Sequence, residues 1–280
     1  MKSHPLLVLL AFLFCVPMVR AAEPTVLRQD NLVAWCIVPF DAAKRTPEQR
    51  AAMLKDLGIK RCAYDWRAEH VPTFEDEIKA YQKEGIEFFA FWRTHDKALE
   101  LFKKYDLQPQ IWDMIPQPNA DTQEAKVEQA ASSMKAIAEQ TKGAGLPLGL
   151  YNHGGWGGEP QNMVAVCQKL HAMGYDHVGI VYNFHHGHDH IADWPEIFAQ
   201  MKPYLICLNV NGMNDNAQPK ILGIGKGKHE RAMIETIVAS DYDGPIGILD
   251  HRNELDAKES LQENLTGLAT VRKELASETK

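Results

Sequence analysis

The sequence predicts an α/β protein, a single-domain (β/α)8 TIM barrel preceded by a signal peptide, and three observations predict it. Short apolar runs alternate with longer amphipathic segments eight times over. The apolar runs are near-continuous, as strands covered on both faces are. Once residues 1–21 are set aside, the chain is close to the roughly 250 residues of one such barrel. An open doubly wound sheet is the second choice, but the turn after the first run, Pro39 to Ala43, has no glycines to cradle a pyrophosphate, so no nucleotide cofactor is expected.

The elements read as follows. Leu32 to Phe40 is strand one, and Thr46-Pro47-Glu48-Gln49 is a capping box with proline at the first helical position, opening a helix that ends at Leu57. Strand two is Ile59 to Trp66, and Thr73 is expected to cap a helix that stops at Gly85. Ile86 to Trp92, a helix from His95 to Tyr105, Gln110 to Ile115 and a long helix from Asp121 to Lys142 complete the first half. In the second half, strands at Leu148–His153, His177–Asn183, Tyr204–Asn211 and Pro245–Asp250 alternate with helices at Glu159–Met173, Trp194–Met201, Lys228–Ser240 and Lys258–Leu275.

Residues 1–21 read as a secretory signal: Lys2 is positive, Leu6 to Val16 is apolar but too short to span a bilayer, and Val19-Arg20-Ala21 offers a cleavage site after Ala21. The barrel would then be residues 22–280, exported to the periplasm or beyond. Loss of Lys2 and Arg20 takes the net charge from -7 to -9, which argues against a nucleic-acid partner. No later run is long and apolar enough for a membrane span. Of Cys36, Cys62, Cys167 and Cys207, three sit inside strand-like apolar runs, so buried thiols are expected although export permits disulfides.

In such a barrel, chemistry is placed where the strands end. Those positions hold Asp65, Trp66 and Arg67 with His70 nearby, then Trp92, then Trp112 and Asp113. They continue with Tyr151, Asn152 and His153; Asn183, His185, His186 and His188; Asn209 and Asn211; and Asp250, His251 and Arg252. The stretch Val181 to His190 is the densest. Its histidines suit metal ligation, proton transfer or hydrogen bonding to sugar hydroxyls, or form a polar loop with no task. Trp66, Trp92, Trp112 and Trp156 add flat faces on which the C–H side of a sugar stacks. Lys226 and Lys228, in the Gly-rich loop after strand seven, would suit a phosphate, though an exported protein meets few sugar phosphates.

The strings Tyr151 to Trp156, Val178 to His190, Leu208 to Met213 and Gly244 to Leu249 resemble the xylose-isomerase-like TIM-barrel family of sugar isomerases and epimerases, and more closely an exported branch of it. The resemblance implies a small-molecule carbohydrate substrate. It also implies a divalent metal held by carboxylates and a histidine on strands five to eight, but the matching positions here are Tyr151, Asn183, Asn209 and either Leu249 or Asp250. A phenol and two amides are a poor site for a hard ion. Strand alternation puts His153, His185, Asn211 and His251 in the next layer, where His153, His185 and His251 could take zinc or a similar ion. The same side chains could bind hydroxyls without metal.

The leading functional expectation is an isomerase or epimerase that abstracts a proton beside a carbonyl. His186 or His153 would be the base, Asp250 or His251 the partner acid, and Asn183, Asn209 and Asn211 would position hydroxyls or an enediolate oxygen. A lyase or hydratase on an oxidised sugar would use the same first step. A carbohydrate-binding barrel without catalysis is the alternative from another class, and the family's endonuclease activity fits least.

Overall fold

The computed structural model describes residues 24–278, so the predicted signal segment lies outside the described residues. Eight strands, β1 (Leu32–Trp35), β2 (Arg61–Tyr64), β3 (Glu87–Trp92), β4 (Gln110–Met114), β5 (Leu148–Tyr151), β6 (Val178–Asn183), β7 (Leu205–Val210) and β8 (Ile246–Leu249), pair in parallel in chain order, and β8 closes on β1. Each is followed by its helix: α1 (Pro47–Asp56), α2 (Phe74–Glu84), α3 (Asp96–Lys104), α4 (Gln123–Ala144), α5 (Pro160–Ala172), α6 (Trp194–Met201), α7 (Glu230–Ala239) and α8 (Ala257–Glu278).

Local chemistry sets the helix ends. The Thr46 hydroxyl accepts from Gln49 N while Gln49 Oε1 accepts from Thr46 N at 3.0 Å, so the predicted capping box forms. Thr73 does not cap α2 as expected: its hydroxyl donates instead to the His70 carbonyl at 3.0 Å. Gly85 and Gly145 end α2 and α4 in the left-handed conformation that glycine adopts without strain.

Several strands are shorter than the apolar runs suggest. The run from Leu32 stops being strand at Trp35 because Cys36 turns left-handed, with φ 60°. Arg93 (φ 59°) and His251 (φ 49°) do the same just beyond β3 and β8. Left-handed non-glycine residues cost roughly 1–2 kcal/mol each, and all three border the same end of the barrel.

Alternation divides the strands between two cores. Leu32 and Ala34, Leu148 and Leu150, Val178, Ile180 and Tyr182, and Ile246 and Ile248 face the helices. Val33 and Trp35, Tyr151, Val181, Cys207 and Leu249 fill the barrel interior. The four described cysteines, Cys36, Cys62, Cys167 and Cys207, are buried and free.

Interior volume is conserved by pairing large with small residues. Gly247 is the register partner of Asn209, and a Cβ on Gly247 would overlap the Asn209 amide oxygen. Gly247→Ala is therefore expected to cost about 1–3 kcal/mol by overpacking, read as a lower urea midpoint. An unchanged midpoint would mean that the interior has slack there.

Candidate active site

The top interior layer is closed by a phenol. Tyr151, at the end of β5, is buried, and its hydroxyl accepts from Trp35 Nε1 at 3.2 Å and from Asn183 Nδ2 at 2.5 Å. Trp35, Trp92 and Trp112 surround its ring, with centroids 6.0, 4.9 and 6.1 Å away. Burial drives the Tyr151 hydroxyl well above its ordinary pKa, so it stays a neutral phenol. Of the two candidates on the last strand, Leu249 is the inward residue.

That layer does not fit a divalent metal. It offers a neutral phenol whose oxygen is already taken, two neutral amides and an aliphatic side chain. The next layer does not fit either. His153, His186, His185 and His251 lie in a row, with successive ring centroids 4.5, 3.6 and 5.3 Å apart, and His186 stands between His153 and His185. Among the described residues no three His, Cys, Asp or Glu side chains form a group able to hold a metal ion. The expected metal set of His153, His185 and His251 is thus corrected: among the described residues the three line one cavity without forming a group able to hold an ion.

Above this layer opens a cavity of about 450 Å³. Its lining includes Trp35, Cys36, Phe40, Asp65, Trp66, Arg67, Trp92, Arg93 and Met114, together with Tyr151, His153, His185, His186 and His251. The histidines expected to converge at one rim do so. Trp66 is fixed by its Nε1 donating to the Trp92 carbonyl at 2.6 Å, and Phe40 stacks on His251 with centroids 3.9 Å apart.

Other expected site residues are spent elsewhere. Trp112 lies wholly inside the barrel and donates to Gln110 Oε1, and Trp156 donates to Gln123 beside α4. Asn152 bridges to the Asn183 backbone through both its amide atoms, at 2.7 and 3.0 Å. Asn183, Asn209 and Asn211 are fully buried beneath the cavity wall, and Asn209 Nδ2 and Asn211 Oδ1 have no hydrogen-bond partner among the described residues. His188 is held by the His185 carbonyl, and His70 accepts from Arg67 N. Asp113 pairs with Arg93 at 3.3 Å.

Lys226 pairs with Glu263 at 2.7 Å and borders a separate groove against α8. The Gly-rich loop around it is closed from within. The buried Glu230 carboxylate accepts from Met213 N, Gly225 N and Gly227 N at 3.0, 3.0 and 2.8 Å, occupying donors that a phosphate would need.

Asp250 also lies outside the cavity, because alternation from Leu249 turns it toward Ser260 of α8. Of the two expected partner acids, Asp250 is therefore not at the mouth, whereas His251 lines it. The residues that sequence reasoning missed are Trp35, Cys36, Phe40, Arg93 and Met114, together with Lys220, whose charge acts on His185, His186 and His251. Placing the end of β1 at Cys36 would have found the first two.

Electrostatics separates the titratable groups. Burial, neighbouring imidazoles and Lys220 push His186 down to about 3 and His185 well below its ordinary range. Burial, with Arg67 and Lys220, pushes His251 to about 4. These three are neutral at pH 7. Asp65 moves the other way: burial raises its carboxyl to about 7 against the pull of Arg67. Its Oδ1 accepts only a long bond from Val38 N at 3.4 Å, and its Oδ2 has no partner among the described residues.

Asp250 is likewise raised to about 7 by burial, which outweighs the lowering effect of the Ser260 hydroxyl beside it. An unfolded aspartate titrates near 3.9, so folding favours the protonated acid. That contribution is full below about pH 4 and is lost as pH rises through about 7. Between pH 5 and pH 8 the lowered histidines add stability while Asp250 removes it, so Asp250→Asn is expected to shift by on the order of 1–3 kcal/mol in its favour relative to wild type. Urea titrations of both proteins at the two pH values measure this; an unchanged difference between them would contradict the assignment.

No protein-family model and no curated protein matches the chain. Solved structures do resemble it. The 3-keto-D-glucoside 4-epimerase YcjR from E. coli is 14% identical with a TM-score of 0.62, over 87% of this chain and 99% of that one. The IolI protein, solved with a bound zinc atom, is 10% identical with a TM-score of 0.67, over 88% and 99%. The probable 3-DHS dehydratase AsbF from Bacillus anthracis is 12% identical with a TM-score of 0.67, over 85% and 98%. At these identities the likeness is one of fold, and the chain is a closed (β/α)8 barrel.

Proposed function

We propose that the chain is a sugar isomerase or epimerase that moves a proton beside a carbonyl, with Asp65 as the proton-transferring group. The observation that carries this reading is one buried carboxyl, raised to about 7, that lines a cavity of about 450 Å³ together with four histidines. A cavity of that size takes a monosaccharide. A general base works best when its pKa lies near the working pH, which Asp65 meets and His186, at about 3, does not.

In the proposed step, the Asp65 carboxylate takes the proton from the carbon next to the substrate carbonyl. The C–H bond breaks, an O–H bond forms on Asp65, and the electron pair moves to the carbonyl oxygen as an enediolate. The neutral imidazole of His186, with His153 beside it, donates a hydrogen bond to that oxygen, in a site dry enough to strengthen it. For an isomer, Asp65 returns the proton to the neighbouring carbon while that carbon's hydroxyl proton passes to the enediolate oxygen by way of a histidine; for an epimer, an imidazole N–H protonates the opposite face, and solvent then takes the proton from Asp65 and restores that of the imidazole. Trp66 and Trp92 supply faces for the C–H side of the ring. The resemblance in fold to a 3-keto-D-glucoside 4-epimerase supports this reading. The resemblance to a probable dehydratase supports a second outcome, in which the same enediolate expels a β-substituent.

Proton NMR in deuterated water over a panel of keto sugars tests the reading. Label should enter a carbon beside the carbonyl at a rate that rises with pH through about 7, as Asp65 deprotonates. Asp65→Asn should lower the rate roughly 100-fold or more while sugar binding persists. Exchange unaffected by this substitution would remove Asp65 from the mechanism, and an unsaturated product would identify a lyase.

A further inference from the structure

The fixed charges of the cavity have a sign opposite to that of the protein. The chain carries a net -7, yet Arg67 and Arg93 border the cavity, and Lys220 acts on the histidines that line it. Arg93 is matched by Asp113 at 3.3 Å. Arg67 is not matched. Its Nη1 donates to the carbonyls of Asp65 and Trp66 at 2.9 and 2.8 Å, which fix the guanidinium, and its face lies 5.3 Å from the centre of the Phe40 ring. Nε and Nη2 have no hydrogen-bond partner among the described residues, and no carboxylate lies within ion-pair distance of Arg67.

A held guanidinium with an open edge is the group best shaped to receive a carboxylate through two parallel hydrogen bonds. A phosphoryl group has a weaker claim. The loop after β7, where barrels commonly hold phosphate, has its backbone donors filled by Glu230, and its Lys226 is paired with Glu263. Within the proposed function, and resting on it, we infer that the substrate is a sugar acid whose carboxylate is anchored by Arg67. Lys220 adds attraction for the incoming anion. With the carboxylate on Arg67, the sugar ring would occupy the cavity that Trp66, Trp92, His153 and His186 line.

Calorimetric titration with matched sugars tests this: D-glucose against D-glucuronate, D-galactose against D-galacturonate, and D-fructose against 2-keto-D-gluconate, with D-glucose 6-phosphate as the phosphate arm. At least one acid should bind roughly tenfold or more tightly than its neutral partner. Arg67→Gln should bring the pair within about twofold, and Arg67→Lys should restore part of the preference, which a purely structural role for Arg67 would not do. Equal or tighter binding of the neutral sugars, a preference that survives Arg67→Gln with the circular dichroism unchanged, or tightest binding of the phosphate would each overturn the assignment. Deuterium exchange read in the same samples separates the two claims. Exchange into neutral sugars alone would sink the carboxylate anchor and leave the proton-transfer reading standing. Acid binding lost in Arg67→Gln, with no exchange in any sample, would do the reverse.

Discussion

The hydroxyl of Tyr151, held between the Trp35 indole and the Asn183 amide, is the constraint on which the site depends. It fills the barrel axis at the level where the strand ends would otherwise present ligating groups. Three indoles pack around the ring, so the plug is apolar and tight, with the hydroxyl's two bonds satisfying its only polar atom. The titratable side chains that line the cavity are therefore ones that follow the strands: Cys36, Asp65, His153, His185, His186 and His251.

That displacement also sets the protonation states. A floor of aromatic rings gives the cavity a low-dielectric base, which penalises any charge placed on it. The imidazoles respond by losing their protons and Asp65 by keeping its own, so groups of opposite type are driven toward neutrality by one cause. Left-handed Cys36, Arg93 and His251 mark where the backbone is bent to present this rim, at a cost which the closed sheet and its two cores sustain.

Much of this was legible in the sequence. The eight-fold alternation gave the barrel and its helices, because strands covered on both faces must be apolar and helices on a barrel must be amphipathic. Convergence of His153, His186 and His251 followed from strand ends alone. What sequence could not give was the last residue of each strand. Reading β1 through to Phe40 hid Trp35 and Cys36, since an apolar run continues past the left-handed turn that ends pairing. One residue of phase decided that Leu249 points inward and Asp250 toward α8. Nor does composition reveal that Glu230 folds back into the Gly-Lys loop, because that bond depends on the angle at which α7 starts.

The central claim is the proposal that Asp65 and the histidines around it carry out proton transfer above the Tyr151 plug without a metal ion. The most direct measurement is deuterium incorporation into a turned-over sugar by protein dialysed against a strong chelator, with zinc, manganese and magnesium then added back. The account predicts the same exchange rate before dialysis, after it and on readdition. Exchange that disappears with the chelator and returns with one of the ions would contradict it.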